Sequence, residues 1–279
     1  MVKITIAKSA GFCFGVKRAI DLAQEIASKN KNVYTFGPLI HNPQEVQRLE
    51  KGNIKVIEDY SKIEEGVLVL RTHGIPLDIY ENLSKKENIK IVDAACPFVK
   101  KAQDIIKELS KDSEQIVIVG EKKHPEVVAL VSYGKGKCLV VEDKKDVENV
   151  KKTDIIYVVS QTTQSPKKFD EIVQEISKIS QVRVFNTICR ATFDRQSAAE
   201  KLAKEVDVMI VIGGKNSGNT TRLYQICSKI TKTYHIENVD ELDKSWFDNI
   251  KEVGITAGAS TPDWIIENIK GRIKEITAN

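Results

Sequence analysis

Nowhere in its 279 residues does this chain hold an apolar run long enough to cross a bilayer. The opening stretch, Met1-Val2-Lys3-Ile4-Thr5-Ile6-Ala7, passes straight into a strand pattern without the apolar core and small-residue cleavage site of a secretory signal. Neither membrane insertion nor export is therefore expected. Charge of one sign is missing as well: Lys+Arg 43 against Asp+Glu 39 leaves a net +4, spread without a basic block. That excludes the footprint of a nucleic-acid binder, and the paired lysines read as solvated helix faces. Linkers rich in Pro, Gly or Ser are absent, as are low-complexity tracts. Cysteine is sparse and odd in number, five in all, which argues against a disulfide framework and for a reducing cytoplasm.

What the chain does have is alternation. Short β-branched runs (33–36, 67–70, 89–92, 116–119, 155–159, 206–212, 253–256) are separated by amphipathic segments (16–29, 98–109, 165–179, 197–205, 220–230). This is the pattern of βαβ units, hence an α/β fold with mainly parallel sheets, and the length suffices for two or three small domains or one large one. Continuous apolar strands such as Val208-Met209-Ile210-Val211-Ile212 imply sheets covered on both faces by helices. Lobe boundaries are expected near residues 95 and 188, giving lobes 1–95, 96–188 and 189–279.

Those boundaries coincide with two of three evenly spaced cysteines. Cys13 sits in Gly11-Phe12-Cys13-Phe14-Gly15, Cys96 in Asp93-Ala94-Ala95-Cys96-Pro97 and Cys189 in Asn186-Thr187-Ile188-Cys189-Arg190, each where a strand-like run yields to a turn or helix start. Three converging thiolates suit a soft metal or an iron–sulfur cluster, and a four-iron cubane on three cysteines keeps one iron open as a Lewis acid. A buried cysteine acting as a small hydrophobe is the plainer alternative for any one of them. It fits Cys227, at helical spacing with Leu223 and Ile230, and Cys138, in Cys138-Leu139-Val140-Val141.

In open parallel sheets, ligands bind beyond the carboxyl ends of the strands. His41, His73 and His124 fall there, whereas His235 reads as a strand or surface residue. Histidine suits a phosphate as well as a metal. Three helix starts favour the anion: Gly213-Gly214-Lys215-Asn216-Ser217-Gly218-Asn219-Thr220, Ala257-Gly258-Ala259-Ser260-Thr261-Pro262-Asp263 and Gln161-Thr162-Thr163-Gln164. Each offers backbone N–H groups and short polar side chains at the positive end of a helix, although capping alone accounts for any one hydroxyl. The glycine-rich segment lacks both the Gly-Lys-Ser/Thr ending of a P-loop and the spaced glycines of a dinucleotide fingerprint, so ATP and NAD are not supported. Glu126, in His124-Pro125-Glu126, is a candidate acid that would hold its proton at neutral pH if shielded from water; a helix-start carboxylate is the alternative.

Taken in order, nine motifs resemble the LytB family, the 4-hydroxy-3-methylbut-2-enyl diphosphate reductases. They are Gly11-Phe12-Cys13 with Gly15-Val16, His41-Asn42, Thr72-His73-Gly74, Asp93-Ala94-Ala95-Cys96-Pro97, His124-Pro125-Glu126, Gln161-Thr162-Thr163, Cys189 with Ala191-Thr192 and Arg195-Gln196, Lys215-Asn216-Ser217 with Asn219, and Thr256-Ala257-Gly258-Ala259-Ser260. The resemblance implies a trefoil of three α/β lobes around a central [4Fe–4S] cluster on Cys13, Cys96 and Cys189, with the N-terminal strand joining the third lobe. It further implies a diphosphate pocket of His41, His73, His124, Ser217, Asn219 and Ser260, Thr162 near the substrate hydroxyl, and Glu126 as proton source. The implied reaction removes the allylic hydroxyl of the diphosphate substrate as water with two electrons and two protons, a small ferredoxin or flavodoxin being the electron donor. Gly218 stands where family members often carry a second serine, so its backbone N–H is expected to serve instead. Two other classes remain open from sequence: a non-catalytic iron–sulfur sensor of a phosphorylated metabolite, and a structural zinc protein closed by three cysteines and a histidine. Glu126 beside His124 favours the enzyme, since simple anion binding has no use for a carboxylate.

Overall fold

The computed structural model describes residues 2–278. Its strands form three four-stranded sheets, parallel at every pairing. The first holds β2 (Val33–Phe36), β3 (Ile54–Ile57), β4 (Gly66–Leu70) and β5 (Ile89–Asp93) in the order β3-β2-β4-β5. In the second, β6 (Ile116–Val119), β7 (Cys138–Val141), β8 (Ile155–Ser160) and β9 (Gln181–Phe185) lie as β7-β6-β8-β9. The third joins β1 (Lys3–Ile6) to β10 (Val208–Ile212), β11 (Lys232–Ile236) and β12 (Glu252–Ala257) as β1-β12-β10-β11. Thus the N-terminal strand pairs with β12, residue Lys3 opposite Glu252.

Helices supply the cover that continuous apolar strands require. Along β10, side chains alternate faces: Val208, Ile210 and Ile212 pack with Ile265, Ile266, Ile269 and Ile273 of α9 (Asp263–Ala278). Met209 and Val211 face Ala199 and Leu202 of α7 (Arg190–Ala203), and Leu223 and Cys227 of α8 (Gly218–Cys227). The second sheet repeats the division: Val117 and Val119 meet Phe169, Ile172 and Ile176 of α6 (Pro166–Ser177), while Ile116 and Ile118 meet Ala102 and Ile106 of α4 (Pro97–Asp112) and Val127 and Leu130 of α5 (Pro125–Tyr133). Leu68 and Leu70 of β4 anchor the first sheet with Ile75, Ile89 and Leu83, the last from α3 (Leu77–Leu83).

By internal contacts the chain divides into two compact units. One comprises residues Arg18–Leu39 and Gly52–Cys189, the other the chain up to Lys17, Ile40–Lys51 and the chain from Arg190 onward. Helix α2 (Pro43–Lys51) therefore belongs to the second of these, although it lies in sequence between β2 and β3. Helix α1 (Phe14–Lys29) begins directly after Cys13.

Several elements depart from the sequence pattern. Helix α7 starts at Arg190 rather than Ser197 and so follows Cys189 immediately. The segment 161–164 is a turn, and α6 begins only at Pro166, capped by Ser165. Ile230 lies beyond the end of α8 and is exposed, so Cys227 packs with Leu223 but not through that residue's helical spacing.

At the end of β10, Gly213 has φ 140°, and a Cβ there would lie 2.9 Å from both Thr220 Oγ1 and Thr261 Oγ1. Gly213→Ala is expected to destabilise the fold by about 1–3 kcal/mol through this backbone strain and crowding, measured as a fall in the urea midpoint.

Candidate functional site

In each sheet the site residues follow the strands in the same spatial order. Outermost is the strand that leads to a cysteine: β1 to Cys13, β5 to Cys96, β9 to Cys189. The next strand leads to Ser260, His73 or Thr162, and the third to Ser217, Gly218 and Asn219, to His41, or to His124 and Glu126. One backbone contact recurs between the first two loops. Cys13 N–H donates to the Ala259 carbonyl (3.2 Å), Cys96 N–H to that of Thr72 (2.9 Å) and Cys189 N–H to that of Thr162 (2.8 Å). Each cysteine also immediately precedes a helix, α1, α4 or α7, and none of these helices has an acidic residue in its first turn. The three thiols, all half-buried, thus sit at the positive ends of helix dipoles.

In the unit containing β2 to β9, His73 and His124 stand edge to face with ring centroids 5.4 Å apart. His124 caps α5, its Nδ1 accepting the Glu126 backbone N–H at 3.2 Å. A ring nitrogen that accepts carries no proton, so in the neutral ring Nε2 is the donor. The Glu126 carboxyl is buried, 1% exposed. Thr162 N–H donates to its Oε1 at 2.6 Å and the Thr162 hydroxyl to its Oε2 at 2.8 Å. Burial pushes this carboxyl up to about 7, the two bonds from Thr162 pulling the other way and only partly offsetting it. Thr162 therefore serves the acid and does not cap a helix, in contrast to the sequence reading of residues 161–164.

The other unit assembles polar ends around β10 and β12. Ser217 caps α8 by accepting the Thr220 N–H at 3.3 Å, which leaves its own hydroxyl hydrogen for donation outward. Gly218 is the first helical residue, among the N–H groups that a helix leaves unsatisfied. The Asn219 amide is buried at both Nδ2 and Oδ1, and neither atom has a hydrogen-bond partner among the described residues. Buried amides are normally paired, so this one is suited to a polar ligand. Ser260 lies in the turn closed by Thr261 N–H to the Gly258 carbonyl. Gly258 is required for this approach: a Cβ would come within 2.3 Å of Thr220 Oγ1. His41 is exposed, and its carbonyl passes 3.8 Å from the place a Gly214 Cβ would take.

Two residues that shape these loops stood in the sequence motifs without a role of their own. Thr72 ties Cys96 to its neighbour and itself donates to the Leu39 carbonyl at 3.1 Å. Asn42 caps α2, accepting the Glu45 N–H at 2.9 Å. The signal available for Asn42 was the Asn-Pro pair that begins a helix. The remaining cysteines behave as expected of core residues, burial pushing both the Cys138 and Cys227 thiols up to about 12.

The LytB protein family model matches residues 4–274. The chain belongs to the LytB family. A similar protein, the 4-hydroxy-3-methylbut-2-enyl diphosphate reductase of Aquifex aeolicus (strain VF5), is 49% identical, with 99% of this chain and 97% of that protein aligned. The reductase of the same name from Geobacter sulfurreducens is 48% identical over 98% of both chains. A solved structure of (E)-4-hydroxy-3-methyl-but-2-enyl diphosphate reductase, described as the terminal enzyme of the non-mevalonate pathway, is 49% identical, covers 99% of this chain and all of its own, and gives a TM-score of 0.78. The Plasmodium falciparum E-1-hydroxy-2-methyl-but-2-enyl-4-diphosphate reductase is 27% identical with a TM-score of 0.89, over 98% of this chain and 88% of its own. This LytB-family chain has, among its described residues, no helix long and apolar enough to cross a membrane. Its candidate donor set toward a metal centre is three thiols at positive helix ends, a soft and anion-favouring set that fits an iron–sulfur cluster better than a hard cation.

The raised Glu126 carboxyl sets a pH dependence. Its unfolded form ionises near 4.5 and its folded form near 7, so the stabilisation it carries when protonated is fully present below 4.5 and is lost as pH rises through about 7. The loss is on the order of 3 kcal/mol. Glu126→Gln is expected to flatten the fall in urea stability across this window.

Proposed function

We propose that this LytB-family chain reduces 4-hydroxy-3-methylbut-2-enyl diphosphate. The allylic C–O bond is cleaved, the hydroxyl leaves as water, and two electrons and two protons enter, giving isopentenyl and dimethylallyl diphosphates. Relatives that span the whole chain bear this activity in their names, and the observation in this molecule that carries the reading is Glu126. A carboxyl that is water-shielded, poised near neutrality and held by a hydroxyl is what proton delivery needs; anion sensing needs none of it.

When bound on Cys13, Cys96 and Cys189, a [4Fe–4S] cluster would supply the electrons and, at the iron lacking a thiolate, a Lewis acid for the allylic oxygen. The protein's own groups do the rest. His41, His73 and His124, with Ser217, the Gly218 N–H, Asn219 and Ser260, take the diphosphate. Donation from His124 Nε2 is favoured because Nδ1 is already occupied by the Glu126 N–H. With Glu126 protonated, the 2.8 Å contact runs from its carboxyl to the Thr162 hydroxyl oxygen, which frees the Thr162 hydrogen; Glu126 passes its proton to that oxygen as Thr162 hands its own hydrogen to the leaving oxygen. A small ferredoxin or flavodoxin in a reducing cytoplasm is the proposed electron source.

Anaerobic turnover of reconstituted protein with the hydroxylated diphosphate and a chemical reductant tests the reading. Glu126→Gln should lower dehydroxylation by about 100- to 10,000-fold, the range for a lost general acid, while diphosphate binding and visible absorbance persist; unimpaired turnover would remove Glu126 from the mechanism. Cys138→Ser and Cys227→Ser should keep both the absorbance and the iron content. A colourless protein containing zinc and no iron would end the cluster assignment.

A further inference from the structure

Glu45 is a carboxylate that the proposed reaction does not use, yet it is wholly buried, 0% exposed. An acid in the first turn of a helix ordinarily gains from the dipole while remaining in water. Burying one costs several kcal/mol unless it is paired and hydrogen-bonded. Here every lone pair that matters is used. Arg48 donates through Nε to Oε2 at 2.9 Å and through Nη2 to Oε1 at 2.6 Å. Trp264 Nε1 donates to the same Oε2, also at 2.9 Å. The Arg48 side chain is itself 45% exposed, so the carboxylate alone bears the full cost of burial, and an apolar side chain in its place is commonly no less stabilising; stability alone does not explain the arrangement.

Its connections do. Trp264 is the second residue of α9 and lies four residues after Ser260; Glu45 is in the first turn of α2, four residues after His41. The indole–carboxylate bond therefore ties together two helix starts that are 219 residues apart in sequence, each bearing a group assigned to the diphosphate. A second tie reaches the third loop of the same unit. Gln44 Nε2 donates to the Glu237 carbonyl at 2.8 Å, and the Glu237 carboxylate accepts the Lys215 N–H at 2.6 Å, two residues before Ser217.

We propose that Glu45, Arg48 and Trp264 are positioning residues for the diphosphate, their hydrogen bonds fixing the separation of His41 from Ser260. The assignment rests on the diphosphate reading of those two residues. Trp264→Phe tests it, because the ring remains and only the indole N–H is lost. Inhibition by inorganic pyrophosphate should weaken about tenfold, the size of one hydrogen bond to a charged group, with KM for the diphosphate substrate rising in parallel and kcat holding within about twofold. In a His41→Ala background the same substitution should add less than about twofold, since residues acting through one another are not additive. Glu45→Gln, which keeps an acceptor for the indole but loses the charge facing Arg48, should shift pyrophosphate inhibition in the same direction, and circular dichroism establishes that each variant is folded. Wild-type inhibition with unchanged inhibition of both folded variants, or full additivity with His41→Ala, sinks the positioning role alone. A wild-type protein that pyrophosphate does not inhibit removes the diphosphate assignment itself, and the positioning role with it.

Discussion

The hydrogen bond from each cysteine's backbone N–H to the carbonyl of the neighbouring strand's loop is the constraint on which the candidate site depends. It is short in all three sheets, 2.8 to 3.2 Å, and it couples two things that a sequence keeps apart. On one side it fixes a thiol at the start of a helix, where the dipole favours negative charge. On the other it fixes the loop that carries Ser260, His73 or Thr162. A parallel ladder continued one step past the ends of its strands accomplishes both, which is why the same order of chemistry recurs across three sheets with no shared sequence motif.

The inner part of each sheet was legible in the sequence. Strands β6 and β10 are unbroken apolar runs, buried on both faces, and their pattern leaves no other place for them. Strands β3, β7 and β9 were not recognised, and of β11 only His235 was singled out; all four are sheet edges. An edge strand needs only half its residues buried, so lysine, glutamine and arginine intrude, as in Gln181-Val182-Arg183-Val184-Phe185, and the run no longer stands out. The candidate site residues stood out for a different reason: cysteine, histidine and glycine at strand ends are chemically conspicuous. Thr72 and Glu45 are not, because their importance comes from partners distant in the chain, Leu39 and Cys96 for the first, Trp264 for the second. The contact of the Thr162 hydroxyl with the Glu126 carboxyl was not visible in the sequence and emerges only from the fold.

Two buried carboxyls in this molecule show how surroundings separate roles. Glu45 receives a guanidinium and an indole. Among the described residues, Glu126 receives the amide and hydroxyl of one threonine and no cation, so desolvation dominates and raises it to about 7. The same residue type is set in two different surroundings, one with a guanidinium reaching it from the surface and one without.

Because the cysteine-bearing strands β1, β5 and β9 are all outermost in their sheets, each is laced to one neighbour only. The inner strands are held from both sides, the outer ones from one side. Within each sheet the thiol-bearing loop thus hangs from a single ladder, and the cysteine N–H bond to the neighbouring loop is the last rung of it.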